Sequence, residues 1–368
     1  MVVIAPTAFK GTLSPREAAA AIAGGIRQRN PAVDPDIAPI SDGGDGFLEC
    51  LEGPLHAERR SVVVRGPVHS PVAAAYAVAP GGVGIVEAAQ AVGMARLGAG
   101  ELDALGASSG GLGELLAEVR QAGARRLVVG LGGSASTDGG TGMARALGYR
   151  FLDATGQDLA EGGGSLHRLA RIDSSGFDPA WLLLPVEVAC DVDNPLLGPT
   201  GTAAVYAPQK GASAGDVARL EEGMGVLADA ILRDLGQEVA GLPHGGAAGG
   251  LGAGLVAFLG ARLVEGAAFV LETLEFRRRL GPAAALVTGE GRLDGQSLRG
   301  KAPVAAGRAA RAAGVRSIAL VGHTGEGWQA ALGDAFDEVH AVSPGAAPPG
   351  SREEAAARLA AAAALLDL

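Results

Sequence analysis

The sequence predicts an α/β protein of two domains with largely parallel sheets. Three observations carry this reading. Short apolar runs alternate with alanine-rich helical stretches along most of the 368 residues, the pattern of strands joined by crossover helices. The 60 glycines cluster where apolar runs end, as tight strand-to-helix turns require. At roughly 150 residues per domain the length suggests two domains, each with a core of its own.

The elements follow in order. Residues 2–5 read as a strand, and a helix is expected over Pro15–Arg29, with Ser14 as N-cap and Pro15 in its first position. A glycine-rich loop occupies 41–46. Between 61 and 89 the pattern turns antiparallel: strands at 61–64, 73–79 and 83–87, with Pro80-Gly81-Gly82 as a hairpin turn. Regular alternation then returns, with a strand at 127–130, a helix opening at Thr141, and a strand at 186–189 that ends in Cys190-Asp191. Long helices are expected over 214–235 and 249–259. The last third reads strand 285–288, helix 302–313, strands 317–321 and 338–342, a Pro/Gly-rich linker at 344–351, and a closing helix over 352–366.

Composition removes several functions. A net charge of −10 argues against nonspecific binding to nucleic acid or to an anionic membrane. The two cysteines, Cys50 and Cys190, form neither a disulfide framework nor a zinc cage. The opening MVVIAPTAFKG has no basic, apolar leader, and no run is long enough to span a bilayer, so a cytoplasmic protein is expected. The six histidines show no metal spacing.

Of 30 basic residues only three are lysines, Lys10, Lys210 and Lys301, and each stands beside a glycine. A compact ammonium fits a crowded phosphate pocket better than a planar guanidinium does. Asparagine is as scarce, and Asn194 stands in Asp191-Val192-Asp193-Asn194-Pro195.

In open α/β sheets ligands bind beyond the carboxyl ends of the strands. Five loops fall there: 6–12, 41–46, 130–142, 191–202 and 289–301. The third contains Gly132-Gly133-Ser134-Ala135-Ser136-Thr137-Asp138-Gly139 ahead of a helix. Glycine amides and hydroxyls at a helix start make an anion site, and Asp138 either holds Mg²⁺ or caps the helix. The stretch 295–302 nearly matches a P-loop, but Ala302 stands where the Mg²⁺-binding hydroxyl belongs, so a P-loop NTPase is rejected. Lys301 at that helix start still suits a phosphate. Asp191, directly after a buried-looking strand, is the candidate general base, and Asp42 can bind a substrate hydroxyl or a metal. No Gly-x-Ser-x-Gly elbow occurs, and the glycine run at 245–254 follows no strand, so hydride transfer ranks low.

Six stretches, IAPTAFKGTLSPREAAAAI, SDGGDGFLECL, GLGGSASTDGGTGMARALGYRFLDATG, ACDVDNPLLGPTGTAAVYAPQKGAS, GAAGGLGAGLVAFLGARL and LVTGEGRLDGQSLRGKAP, resemble the bacterial glycerate kinase family, which phosphorylates D-glycerate with ATP. The resemblance implies two α/β domains with the active site in the cleft between them. One is discontinuous, expected at 1–68 with 283–368, and the other spans 69–282. It also implies ATP with Mg²⁺ and a 2-phosphoglycerate product. On that footing Gly132, Gly133, Ser134, Ser136, Thr137, Asp138 and Gly139 cradle phosphate, and Lys10 and Lys301 neutralise developing charge. Asp191 takes the hydroxyl proton, while Asp42, Arg292, Asn194 and Lys210 bind glycerate, with Lys210 at the cleft rim. Asp294 and Asp138 are the expected Mg²⁺ ligands. The family pattern is departed from at Thr7, Ala8, Asp45, Phe47, Val92, Thr137 and His323, and its Tyr-Gly-Thr-Gly-Glu run appears here as Ser109-Gly110-Gly111-Leu112-Gly113-Glu114. The alternatives are a kinase for another small hydroxy acid and a non-catalytic metabolite-binding regulator on the same fold. Oligomeric state is not legible.

Overall fold

The computed structural model describes residues 1–98, 100–342 and 349–368, so most of the expected linker at 344–351 lies outside the described residues. The chain forms two compact units, Met1–Leu55 with Glu265–Leu368, and His56–Val264.

The chain begins in the first unit with β1 (Val2–Pro6), α1 (Pro15–Arg29), β2 (Pro35–Ile37) and α2 (Phe47–Glu52). The α1 start is as expected: Ser14 Oγ accepts from Glu17 N, the Glu17 side chain returns a bond to the Ser14 amide, and Pro15 holds the first position.

The second unit follows. It comprises β3 (Glu58–Arg65), β4 (Pro71–Ala79), β5 (Val83–Glu87), α3 (Ala88–Val92), α4 (Gly110–Gln121), β6 (Arg126–Gly130), α5 (Thr141–Ala146), β7 (Arg150–Leu152), β8 (Arg171–Asp173), β9 (Val186–Cys190), α6 (Thr202–Tyr206), α7 (Ala214–Leu235), α8 (Ala247–Leu259) and β10 (Arg262–Glu265). Its sheet has the order β10-β9-β6-β5-β4-β3. β5, β6 and β9 are parallel neighbours, while β3 and β4 continue the sheet antiparallel. The parallel ladder puts the carboxyl ends of β6 and β9 side by side, with Gly130 opposite Ala189.

The first unit resumes with α9 (Gly266–Thr273), α10 (Phe276–Leu280), β11 (Ala285–Leu293), α11 (Ala302–Ala312), β12 (Arg316–Thr324), β13 (Glu338–Ala341) and α12 (Arg352–Ala363). Its sheet is wholly parallel, in the order β13-β12-β11-β1-β2. Within this unit that is the order 2-1-3-4-5, which reverses direction between β1 and β11. Side chains of α1 and α12 pack with β1, β11 and β12 on one face. Val304 of α11 joins Val321 and Phe336 in a separate cluster.

The unit boundaries fall at 55/56 and 264/265, against the expected 68/69 and 282/283. The first shifts because β3 pairs along its whole length with β4. The second shifts because α9 packs against α2 and α11, with Phe47 and Phe269 in ring contact at 6.3 Å. Both cysteines are buried, and neither is in a disulfide. No helix among the described residues is long and apolar enough to cross a membrane.

Candidate functional site

In the first unit the loops after β1 and β11 flank the point where strand order reverses, the place where open parallel sheets bind ligands. Thr7 ties the loop after β1 to β11: its amide and its hydroxyl both donate to the Gly289 carbonyl, at 2.9 and 3.2 Å. Lys10 follows on the exposed part of the β1 loop. Glu290 lies on β11 at this point, buried at 6% exposure. Lys301, at the N-cap of α11, brings its Nζ within 3.6 Å of Glu290 Oε2. Glu290 Oε1 is buried and has no hydrogen-bond partner among the described residues. Burial pushes this carboxyl above the ordinary glutamate range; Lys301 and Ser297 oppose the shift, and Asp42 adds to it. Asp42 sits in the loop after β2, where its Oδ1 accepts from Gly44 N at 3.4 Å.

Farther along β11, Arg292 and Asp294 pair with each other, Nε to Oδ2 at 3.0 Å, and Asp294 Oδ1 also accepts from Gln296 N. Asp294 therefore orients Arg292, whose side chain remains 58% exposed. His323 is exposed on β12.

In the second unit the glycine loop follows β6, and Asp191 follows the adjacent β9. The loop is built around Asp138, which is fully buried. Its Oδ2 accepts from Ser109 N, Ser109 Oγ and Gly142 N at 2.8–3.0 Å, and its Oδ1 accepts from Gly140 N at 3.1 Å. Burial pushes this carboxyl up, and these bonds pull it back. Ser109 Oγ also accepts from Met143 N. The expected anion site at the helix start is therefore already filled: the amides of Gly140, Gly142 and Met143 are taken by side chains of the protein, and α5 is only six residues long. Gly139 N goes to the Gly249 carbonyl at 3.1 Å. What remains for a ligand is the stretch 132–137. There Ser136 Oγ and Thr137 Oγ1 are buried without partners among the described residues, a state that native proteins rarely leave uncompensated.

Lys210 is expected at an exposed rim; instead it is 2% exposed. Its Nζ donates to the Ser136 carbonyl at 2.6 Å and to Ser134 Oγ at 3.3 Å. Asn194, expected to bind substrate, ties its loop to the end of α6. Its Nδ2 donates to the Thr200 carbonyl and its Oδ1 accepts from Tyr206 Oη, both at 2.6 Å.

Of the two expected Mg²⁺ ligands, Asp138 has its acceptor positions filled by the protein. Asp138 already accepts from four donors, and Asp294 from two, one on each oxygen. Among the described residues, no group of three or more His, Cys, Asp or Glu side chains is placed to hold an ion.

Residues 2–366 match the glycerate kinase family. The chain belongs to that family. It is 40% identical over 344 residues to a glycerate kinase of Halalkalibacterium halodurans, covering 93% of this chain and 90% of that protein. It is 39% identical over 311 residues to a glycerate 2-kinase of Escherichia coli K12, covering 84% and 82%. A crystal structure from Salmonella typhimurium LT2, of a chain assigned as a glycerate kinase 2, superposes with a TM-score of 0.82 at 37% identity, covering 99% of this chain and 96% of that one.

Within this glycerate kinase fold, sequence reasoning overlooked two residues. Glu290 stands between two glycines in the sequence, and only topology puts it at the reversal point. Ser109 gave no signal, because its partner Asp138 lies 29 residues away.

Proposed function

We propose that this glycerate kinase family member transfers the γ-phosphoryl group of Mg–ATP to D-glycerate, giving 2-phosphoglycerate. The match of 365 residues to one kinase family, 2 through 366, is the observation that carries the reading. The E. coli relative, a glycerate 2-kinase, supports the choice of hydroxyl.

Phosphoryl transfer asks for positioning and charge neutralisation more than for covalent chemistry. Asp191 accepts the proton of the attacking hydroxyl. That oxygen forms a bond to the γ-phosphorus as the bond to the ADP oxygen breaks, and ADP leaves with the electron pair. Lys10 and Lys301 offset charge on the transferring group. Ser136 and Thr137 donate their unpaired hydroxyls to phosphate oxygens. Arg292, oriented by Asp294, offers its outer N–H groups to the glycerate carboxylate. An ATP-dependent reaction on a soluble metabolite fits a cytoplasmic location.

The test is an ADP-release assay with D-glycerate, followed by ³¹P NMR of the product. Release with glycerate and a 2-phosphate signal are expected. Release only with another hydroxy acid moves the assignment to that acid. Glycerate binding without any ATP turnover makes the chain a regulator.

A further inference from the structure

Among the described residues Lys210 makes no direct ion pair. The carboxylate whose charge reaches it is Asp138, and that group is saturated by four donors from Ser109, Gly140 and Gly142. Among the described residues the ammonium bonds two neutral oxygens, the Ser136 carbonyl and Ser134 Oγ. A buried charge with no ionic partner is costly, and burial pulls Lys210 down to about 7. On the same stretch two further buried donors, Ser136 Oγ and Thr137 Oγ1, also lack partners. Gly249 closes the other side: a Cβ there would collide with the Ser136 carbonyl and stand 2.8 Å from Lys210 Nζ. Residues 134–137 thus carry two buried hydroxyls without partners among the described residues and are bonded by the Lys210 ammonium, an arrangement that suits an anion.

We infer that Lys210 is the buried counter-charge for a nucleotide phosphate held on residues 134–137. This rests on the kinase reading, which supplies a phosphoryl group as the anion. Lys210 is a positioning residue: it fixes the Ser136 backbone and the Ser134 hydroxyl, and its charge acts through the loop. The coupling runs both ways. A phosphate on the loop favours the ammonium form, so nucleotide binding above neutral pH draws a proton from solvent. Asp138 is the titratable group whose charge reaches the lysine; burial raises it and its four donors pull it back.

The experiment is calorimetric titration of the full chain with the Mg complex of β,γ-methylene-ATP, in two buffers of different ionisation heat. Wild type should take up a large fraction of one proton at about pH 8 and almost none at about pH 6. Lys210→Met should abolish the uptake, weaken binding at least about tenfold, and raise KM for ATP by more than it lowers kcat. Wild-type binding at pH 8 without proton uptake overturns the inference, as does uptake or affinity unchanged in Lys210→Met. If that variant does not fold, the wild-type pH dependence decides alone. A wild type that binds no nucleotide overturns the kinase reading and this inference with it.

Discussion

Lys301 Nζ lies 3.6 Å from Glu290 Oε2, at the point where the five-stranded sheet reverses its strand order. The pair joins the start of α11 to the carboxyl half of β11, and the other Glu290 oxygen has no partner among the described residues. A carboxylate so placed aims the lysine at a cost in desolvation.

Glu290→Gln should therefore slow turnover about tenfold or more without lowering stability at neutral pH. The wild-type carboxyl is raised above its unfolded value, so the folded state holds its proton longer than the unfolded state does. Stability from this group is present at acid pH and lost as pH rises through the folded value. The difference in Tm between Glu290→Gln and wild type should shift in favour of the variant from about pH 4.5 upward. A constant difference would show that Glu290 does not titrate in this way.

Lys10→Arg and Lys301→Arg test lysine geometry with charge preserved. Misplacing a contact by about 1 Å can cost on the order of a hundredfold, so kcat should fall by roughly that amount with Tm nearly unchanged. Rates near wild type for both would mean that a positive charge is enough.

Asp191→Asn should keep nucleotide binding and lose at least roughly two orders of magnitude in kcat, the usual contribution of a general base. Turnover within a few-fold of wild type would hand the proton to another carboxylate, with Asp42 the next to try.

Asp138→Asn separates capping from metal binding. Four N–H and O–H donors converge on this carboxylate, and an amide cannot accept from all of them. Tm should drop, by roughly 2–4 °C for each kcal/mol lost, while the Mg²⁺ concentration giving half-maximal rate stays put. A large shift in that concentration would restore Asp138 as a ligand.

Gly249→Ala probes the support behind the loop. The residue has φ +77° and abuts the Ser136 carbonyl, so a side chain adds both strain and collision. Thermal melts should show a loss of several degrees, and KM for ATP should rise. A variant that melts and binds like wild type would remove the loop support from the account.

Local signals were legible in the sequence wherever a local rule decides the structure. Ser14 caps α1 as its spacing demands, and α7 spans Ala214–Leu235 as expected. The hairpin at 80–82 and the alternation of strands and helices gave the fold class. One helix without a capping side chain was missed: α4 starts at Gly110 after Ser109, whose hydroxyl serves Asp138 instead. The site was less legible because its logic is long-range. Lysine is almost never fully buried, so nothing near Lys210 announced that it would lie beneath the glycine loop. Asn194 and Asp138 looked like ligand residues because the same polar groups that bind ligands also tie loops, and only the list of partners separates the two uses.

The interrupted first unit also sets an order of assembly at the ribosome. β1 emerges first, yet its neighbour β11 begins only at Ala285. At ~5–20 residues per second, that neighbour is made tens of seconds after β1. Residues 56–264 are contiguous and carry their own core, so they can fold during the wait. The nascent Val2–Pro6 strand, buried throughout in the finished protein, meanwhile has only the three residues of β2 to pair with. Slow synthesis or a stall before Ala285 would leave an apolar edge open, and nascent chains of that length are the ones for which a chaperone should matter most.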